Sequence, residues 1–310
     1  MDLAHAVQQL PQQLVNGILL GAVYALIALG YTMVYGVLRF INFAHGDVLM
    51  VGAFVGLFTA QFLEKLGMKL ASFSTGAIVL VVAMLACAAL GMLIESAAYR
   101  PLRKRPRLTV LITAIGVSLF LEYMGQMKFV FGPNPVGFPQ IIPNQVFGEG
   151  HLVTISTNQI MVLAVAVGLM LLLRYIVVHT RMGMAMRALS NNPMACSLMG
   201  VNTNVIISFT FALGSALAGA AAILTSINYP QIGAMMGILP GIKAFVAAVV
   251  GGIGNIPGAA LGALIIGVLE TLVVAYVSPS YKDAVAFALL IVILLVKPSG
   301  LLGKSEIVKV

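Results

Sequence analysis

Long apolar runs alternate with short polar breaks along the whole chain. The runs cover 13–34, 48–63, 73–95, 108–127, 158–178, 205–228, 241–277 and 283–297. A membrane-spanning helix needs about 20 mostly apolar residues, so most of the runs are long enough for one span. Run 241–277 is interrupted by glycines and a proline, which predicts a broken or re-entrant helical hairpin. The pattern predicts an all-α, polytopic transmembrane bundle of about eight to ten spans.

Composition agrees with that pattern. Hydrophobic residues make up 61% of the chain and charged residues only 8%, and the mean hydropathy is +1.07. Soluble proteins carry about 25% charged residues, so we expect one transmembrane domain over 1–310 and no large soluble part. The net charge of +8 does not indicate nucleic-acid binding, because no basic face or aromatic platform accompanies it.

Basic residues give the predicted bundle an orientation. Short cytoplasmic loops collect Lys and Arg, and the chain has one such cluster at Arg100, Arg103, Lys104, Arg105 and Arg107. With this cluster inside, the proline-rich segment 128–157 becomes an ordered external loop, and 181–204 becomes a cytoplasmic segment. The N-terminus is then external. It lacks the basic start of a cleavable signal peptide, so we expect the first span to be retained.

A polar break between the first two runs holds Asn42, His45, Gly46 and Asp47. Irregular backbone at membrane depth is tolerated only where it faces protein or a watery cavity. One interpretation is therefore a broken helix at the inner end of a transport pathway or at a subunit contact. The alternative is a plain cytoplasmic turn in which Asp47 caps the following helix.

Charged and glycine-rich positions in the later runs are further candidates. Lys243 and Glu270 lie in opposite arms of the predicted hairpin, and unpaired charges are costly in a membrane. They are interpreted either as an ion pair that fixes the hairpin or as polar groups that line a pathway. Gly252 and Gly254 belong to a segment without the Gly-Lys-Ser/Thr ending of a phosphate loop, so a tight turn is predicted. Glu95 is expected to pair with the nearby basic cluster.

Segment 181–202 is compatible with a helix up to Asn191 and a second short helix that begins at Pro193 and ends near Gly200. It either docks into a groove of a soluble partner or lies on the membrane surface. The four histidines are scattered and show no metal-ligand spacing. With no catalytic constellation and no metal site in the sequence, we expect the chain not to be an enzyme.

Several sequence blocks resemble the permease subunits of bacterial branched-chain amino-acid ABC importers, and among them the H-type subunit. The blocks occur in the expected order along nearly the whole chain, at 31–36, 41–47, 95–101, 181–183, 199–202, 241–245, 251–258, 281–283 and 298–303. The resemblance implies an inner-membrane permease that imports Leu, Ile and Val by alternating access. It also implies that 181–202 couples to an ATPase subunit through Arg181, Gly183, Arg187, Ala188, Asn191, Asn192, Ala195, Gly200 and Asn202.

The resemblance further implies the partners. They are a second permease of the M type, two cytoplasmic ATP-binding subunits and a periplasmic amino-acid-binding protein. ATP and Mg²⁺ would be bound by the ATPase subunits, and no cofactor by this chain. Related permeases import urea, short amides or other amino acids, so these substrates stay open. An ion-coupled secondary transporter is the main rival; it needs buried carboxylates, and Asp47, Glu122 and Glu270 are the candidates.

Overall fold

A computed structural model describes residues 3–103, 105–148 and 153–303, and these residues are predominantly helical. The helices in chain order are α1 (Leu3–Leu38), α2 (His45–Lys65), α3 (Phe73–Ile94), α4 (Arg107–Gly125), α5 (Thr157–His179), α6 (Arg181–Asn191), α7 (Pro193–Leu198), α8 (Thr203–Asn228), α9 (Ile238–Gly251), α10 (Ile256–Tyr276) and α11 (Lys282–Val296). A π-helical turn, Glu95–Tyr99, and a 3₁₀ turn, Arg100–Leu102, continue α3.

Among the described residues, eight helices are long and apolar enough to cross a membrane, which confirms the predicted polytopic bundle. Helix α9 has 14 residues and is about 21 Å long at about 1.5 Å per residue, so it is shorter than a full span. The helices extend beyond several apolar runs, because polar residues at helix ends do not register as apolar. Helix α1, for example, begins at Leu3 rather than near residue 13.

Helix α1 occupies the middle of the bundle and packs closely on α10. A methyl group added to Gly17 would lie 2.7 Å from Cα of Val268, and one added to Gly21 would lie 2.7 Å from Cα of Leu264. Small residues at such crossings let membrane helices approach closely. Helices α2 and α8 are also largely buried, whereas α11 lies at the periphery and has few buried residues. The bundle therefore has a packed centre and an apolar periphery suited to lipid or to other membrane subunits.

The two ends of the bundle differ in charge and structure. The end that carries the C-termini of α1, α3 and α5 also carries α6 and α7, and we call it the basic end. The opposite end holds two short antiparallel ladders. Strand β1 (Val136–Gly137) pairs with β4 (Gln231–Ile232), and β2 (Val146–Phe147) pairs with β3 (Ile155–Ser156). The described part of 128–156 contains no helix, in agreement with the predicted ordered loop; residues 149–152 lie outside the described residues.

Helices α2 and α9 begin inside the bundle rather than at its surface. His45 lies against Gly30, which precedes the end of α1 by eight residues, or about 12 Å of helix. Residues 39–44 therefore turn back into the bundle. A methyl group on Gly46 would lie 2.7 Å from the carbonyl oxygen of Gly237, so the N-termini of the two helices meet in the interior.

This geometry supports a break at 42–47 but corrects one alternative. The N-cap of α2 is Ala44, and no side chain caps the helix, so Asp47 is not the cap. The predicted tight turn between α9 and α10 is present. Gly252 and Gly254 have φ values of +107° and +90°, a region that favours glycine. Asn255 then caps α10 by accepting a hydrogen bond from the amide of Gly258, at 3.2 Å.

Candidate functional site

Three polar caps define the starts of α6, α7 and α8 at the basic end. The Thr180 hydroxyl accepts from the amide of Gly183 at 3.1 Å, and the Asn192 side chain accepts from the amide of Ala195 at 3.0 Å. Asn202 caps α8 in the same way. Each cap satisfies backbone donors at a helix start. The two predicted short helices are therefore present, and the chain passes from α5 to α8 through a capped elbow.

The predicted coupling residues share one property, with a single exception: they are exposed at the basic end. The exposed ones are Arg181, Arg187, Ala188, Asn191, Asn192, Ala195, Gly200 and Asn202. Gly183 is buried instead, where a side chain would overlap the carbonyl oxygens of Ile176 and Val177. Gly183 thus allows α6 to pack on the end of α5, and a partner would not touch it. The coupling role of these residues stays a prediction.

Apolar side chains on α6, on α7 and just after α7 accompany those polar ones. Met194, Leu198 and Met199 are at least 75% exposed, and Met184 is 63% exposed. We call this set, with the exposed predicted residues, the docking surface. The sequence pattern did not predict that its apolar members are exposed. A methionine or leucine in a short helix is usually interpreted as a membrane-facing or core residue. Exposed apolar patches on an aqueous end commonly mark interaction sites.

The docking surface is joined firmly to the bundle. The Arg187 guanidinium donates to the carbonyl oxygen of Val178 at 3.1 Å, which ties α6 to the last turn of α5. Nearby, the wholly buried Glu95 accepts hydrogen bonds from Arg100, at 2.9 Å, and from Arg103 and Ser208. Burial holds the pKa of the Arg103 guanidinium below its usual value. The predicted pairing of Glu95 with the basic cluster is confirmed.

The candidates at the start of α2 are buried in the interior. Asn42 accepts from the Tyr99 hydroxyl at 2.6 Å, and the His45 ring lies edge-on to Tyr31, with ring centroids 4.7 Å apart. Gly46 contributes the contact with Gly237 described above. These residues fix where α1, α2, α3 and α9 meet, and their participation in transport stays a prediction.

A cavity of about 180 Å³ lies beside that junction and is open at the surface of the bundle, where Ile115 and Leu119 are exposed. Asp47 lines it and accepts from the Ser118 hydroxyl, which also lies 3.4 Å from Glu122. The remaining wall is mostly apolar and includes Ile115, Leu119, Ile242 and Phe245. Nothing in the sequence indicates that Ser118 contacts these carboxylates, because a serine in an apolar run is common. The cavity joins two carboxylates from α2 and α4 through one hydroxyl.

A larger cavity of about 720 Å³, which we call the outer cavity, opens toward the end opposite the basic end. Lys243 Nζ lies 2.6 Å from Glu270 Oε1 and 2.6 Å from Asp283 Oδ1. The Tyr24 hydroxyl donates to Glu270 Oε2 at 3.1 Å. The predicted Lys243–Glu270 pair is thus confirmed as a contact, while Tyr24 and Asp283 were not foreseen as its partners.

Further residues shape the outer cavity. Its lining includes Tyr229, whose pKa is raised by burial and by the negative charge of Glu270.

Gly252 and Gly254 lie in the α9–α10 turn, away from both cavities. Within residues 3–103, 105–148 and 153–303, no group of three or more His, Cys, Asp or Glu side chains is placed to hold a metal ion.

A family model and several known proteins that resemble this chain all point to the same family. Residues 13–294 match the family model described as "Branched-chain amino acid transport system / permease component". The chain is 43% identical over 307 residues to the high-affinity branched-chain amino acid transport system permease protein LivH of Escherichia coli K12, covering 96% of this chain and 97% of that protein.

Two other relatives are similar over most of their length. The high-affinity branched-chain amino acid transport system permease protein BraD of Pseudomonas aeruginosa is 44% identical over 308 residues, covering 96% of this chain and 97% of that protein. The probable branched-chain amino acid transport permease protein LivH of Methanocaldococcus jannaschii is 30% identical over 295 residues, covering 90% and 88%.

Proposed function

Because the chain belongs to the family of branched-chain amino-acid transport permeases, we propose that it carries Leu, Ile and Val across the inner membrane as part of an ATP-driven importer. It is a multi-pass membrane permease. The observation that carries the proposal is the combination of near full-length similarity to such permeases with an exposed docking surface on the basic end of the bundle.

The basic end is the cytoplasmic end in this proposal, in keeping with the preference of Lys and Arg for that side. Two ATP-binding subunits carry ATP and Mg²⁺, and one of them contacts the docking surface. A second permease of the M type completes the membrane part. A periplasmic binding protein delivers the amino acid to the opposite end, where the outer cavity opens. This chain binds no cofactor of its own.

The elbow supplies a mechanical link from the ATPase to the spans. A displacement of α6 and α7 acts on α5 through the Arg187–Val178 hydrogen bond and the Thr180 cap. It acts on α8 through the Asn202 cap. Helix α8 packs in the buried part of the bundle, so its movement reaches the central helices. Alternating access then follows from rocking of packed helices, since tightly packed helices move as rigid bodies.

Uptake into proteoliposomes tests this function. The purified complex is reconstituted with ATP inside and the binding protein outside, and labelled leucine, isoleucine, valine and urea are offered separately. We expect ATP-dependent uptake of the three amino acids and none of urea. Uptake of urea or another solute would change the substrate class. Uptake driven by an ion gradient without ATPase subunits would replace the importer with a secondary transporter.

A substitution on the docking surface tests the coupling role of 181–202. Ala195→Glu puts a bulky negative side chain on the exposed face of α7 without removing any side-chain hydrogen bond. We expect at least a tenfold loss of uptake per ATP hydrolysed, with the permease still in the membrane. Ala71→Glu is the matched control, because Ala71 is an exposed alanine at the opposite end. Normal coupling in the Ala195 variant would remove α7 as a docking element.

A further inference from the structure

We propose that the outer cavity binds the head group of a free, zwitterionic aliphatic amino acid: Lys243 takes its carboxylate, and Asp283 with Glu270 takes its ammonium. The inference rests on the proposed function and deepens it, because it assigns a substrate site within this chain. The site is built from side chains of α9, α10 and α11 and is supported by Tyr24 of α1.

The charges in this cavity match a zwitterion. A single ammonium, Lys243, serves two carboxylates, each at 2.6 Å. Lys243 and Glu270 are only 4% and 6% exposed, so their charges are costly unless they stay paired. Lys282 adds an exposed positive charge at the rim. Two basic and two acidic side chains thus face one space, which suits a ligand with both signs and no net charge.

Asp283 is the member of the cluster that can be exchanged. Its side chain is 35% exposed, whereas that of Glu270 is 8% exposed and is also held by Tyr24. When a substrate carboxylate replaces Asp283 at Lys243, the released Asp283 can accept the substrate ammonium. Every charge then keeps a partner of opposite sign during binding, which avoids the penalty of an isolated buried charge.

The rest of the cavity wall suits an aliphatic side chain. The apolar residues beside the charged cluster include Leu19, Val23, Leu239 and Val274. Met235 and Met236 add adaptable apolar surface. Ligand sites typically combine mostly apolar walls with a few converging polar groups that fix orientation. A ligand with a zwitterionic head and a short alkyl chain therefore fits this cavity. Its head group faces the charged cluster, and its alkyl chain faces the apolar side chains.

Cysteine protection tests the site without relying on selection by a binding protein. Val274→Cys places a thiol of similar size on the cavity wall, and Thr271→Cys is a second reporter on the same wall. The native Cys87 and Cys196 are both buried. In the assembled complex without ATP, we expect leucine to slow labelling by a small maleimide at either position. Labelling of Val277→Cys, which is 68% exposed outside the cavity lining, should not change.

Analogues and variants then test each half of the recognition. Leucine amide lacks the carboxylate and 4-methylpentanoate lacks the ammonium, so neither should protect at the concentration at which leucine gives half protection. Asp283→Asn should raise that leucine concentration by about tenfold, equivalent to about 1.4 kcal/mol. Asp283→Glu, which keeps the charge, should restore most of the protection.

The possible results separate this inference from the proposed function. Absence of protection by leucine, or equal protection by leucine amide and leucine, would overturn the head-group site even if ATP-dependent uptake is normal. Unchanged protection in Asp283→Asn would overturn the part assigned to Asp283. Protection by leucine in a complex that shows no ATP-dependent uptake would support the site and contradict the importer function.

Discussion

Glu95 is wholly buried at the end of α3, where two arginines and one serine donate to its carboxylate. The side chain of Arg103 is only 17% exposed, whereas that of Arg100 is 43% exposed. The Arg103–Glu95 contact therefore contributes more to stability than the Arg100–Glu95 contact, since solvent screens partly exposed pairs. At the residue scale, this carboxylate joins the basic loop after α3 to α8, the helix that follows the docking surface.

Replacing Glu95 by alanine should destabilise the permease. The change leaves Arg103 half-buried without its carboxylate, and loss of one partner of a buried pair costs about 3 kcal/mol. The unfolding midpoint of the purified protein in detergent, followed by circular dichroism, measures the effect. Glu64→Ala is the control, because Glu64 is exposed at the other end of the bundle. Equal midpoints for the two variants would show that the cluster contributes nothing to stability.

Sequence distance explains which residue contacts were foreseen. Glu95 lies five residues from Arg100, and Lys243 and Glu270 lie in two arms of one hairpin, so both pairs follow from local geometry. Ser118 and Asp47 are 71 residues apart. Their contact depends on how α4 packs on α2, which apolar patterns do not specify. Tyr24 lies 246 residues from Glu270, and it escaped prediction for the same reason.

Glycines govern how the helices approach each other at the scale of elements. A methyl group on Gly262 of α10 would overlap the carbonyl oxygen of Ala247 in α9, so the hairpin closes only with glycine at that position. Gly168 of α5, in contrast, has no atom within 4 Å of such a methyl group. Some glycines in this chain are therefore required for close helix packing and others are not. The sequence does not distinguish the two kinds, but the packing does.

A pair of glycine substitutions tests this distinction. Gly262→Ala should destabilise the protein by about 1–3 kcal/mol, because overpacking forces the backbones of α9 and α10 apart. Gly168→Ala should be neutral or stabilise by up to about 1 kcal/mol, because alanine favours the helix. Melting temperatures of both variants in the same detergent give the comparison. A stabilised Gly262 variant would contradict the close α9–α10 contact.

The apolar runs predicted most helices, but they did not predict which helices begin in the interior of the bundle. Existence and type of the long helices follow directly from runs of about 20 apolar residues. The start of α2 beside Gly30 and the start of α9 beside Gly46 depend instead on tertiary contacts between small residues. A polar stretch such as 42–47 looks the same in sequence whether it lies at the surface or in the interior. The cavity beside Asp47 therefore could not be located from the pattern.

At the scale of the whole molecule, the two ends of the bundle carry different features. In the part of the chain that the structure describes, eight helices are long and apolar enough to span a membrane, and the segment from β4 through α9 runs from the end with the strand ladders toward the basic end. The docking surface lies at the basic end and the outer cavity opens toward the other end, as an importer requires if ATP is hydrolysed on one side and substrate arrives from the other.

Thiol labelling in intact cells tests this orientation. Arg105→Cys lies in the exposed loop of the basic end, and Ser280→Cys lies in the exposed turn before α11 at the other end. We expect a membrane-impermeant maleimide to label position 280 in intact spheroplasts and position 105 only after permeabilisation. The native cysteines are buried, so the wild type serves as the background. Labelling of position 105 in intact spheroplasts would put the basic end outside, where no cytoplasmic ATPase can reach the docking surface.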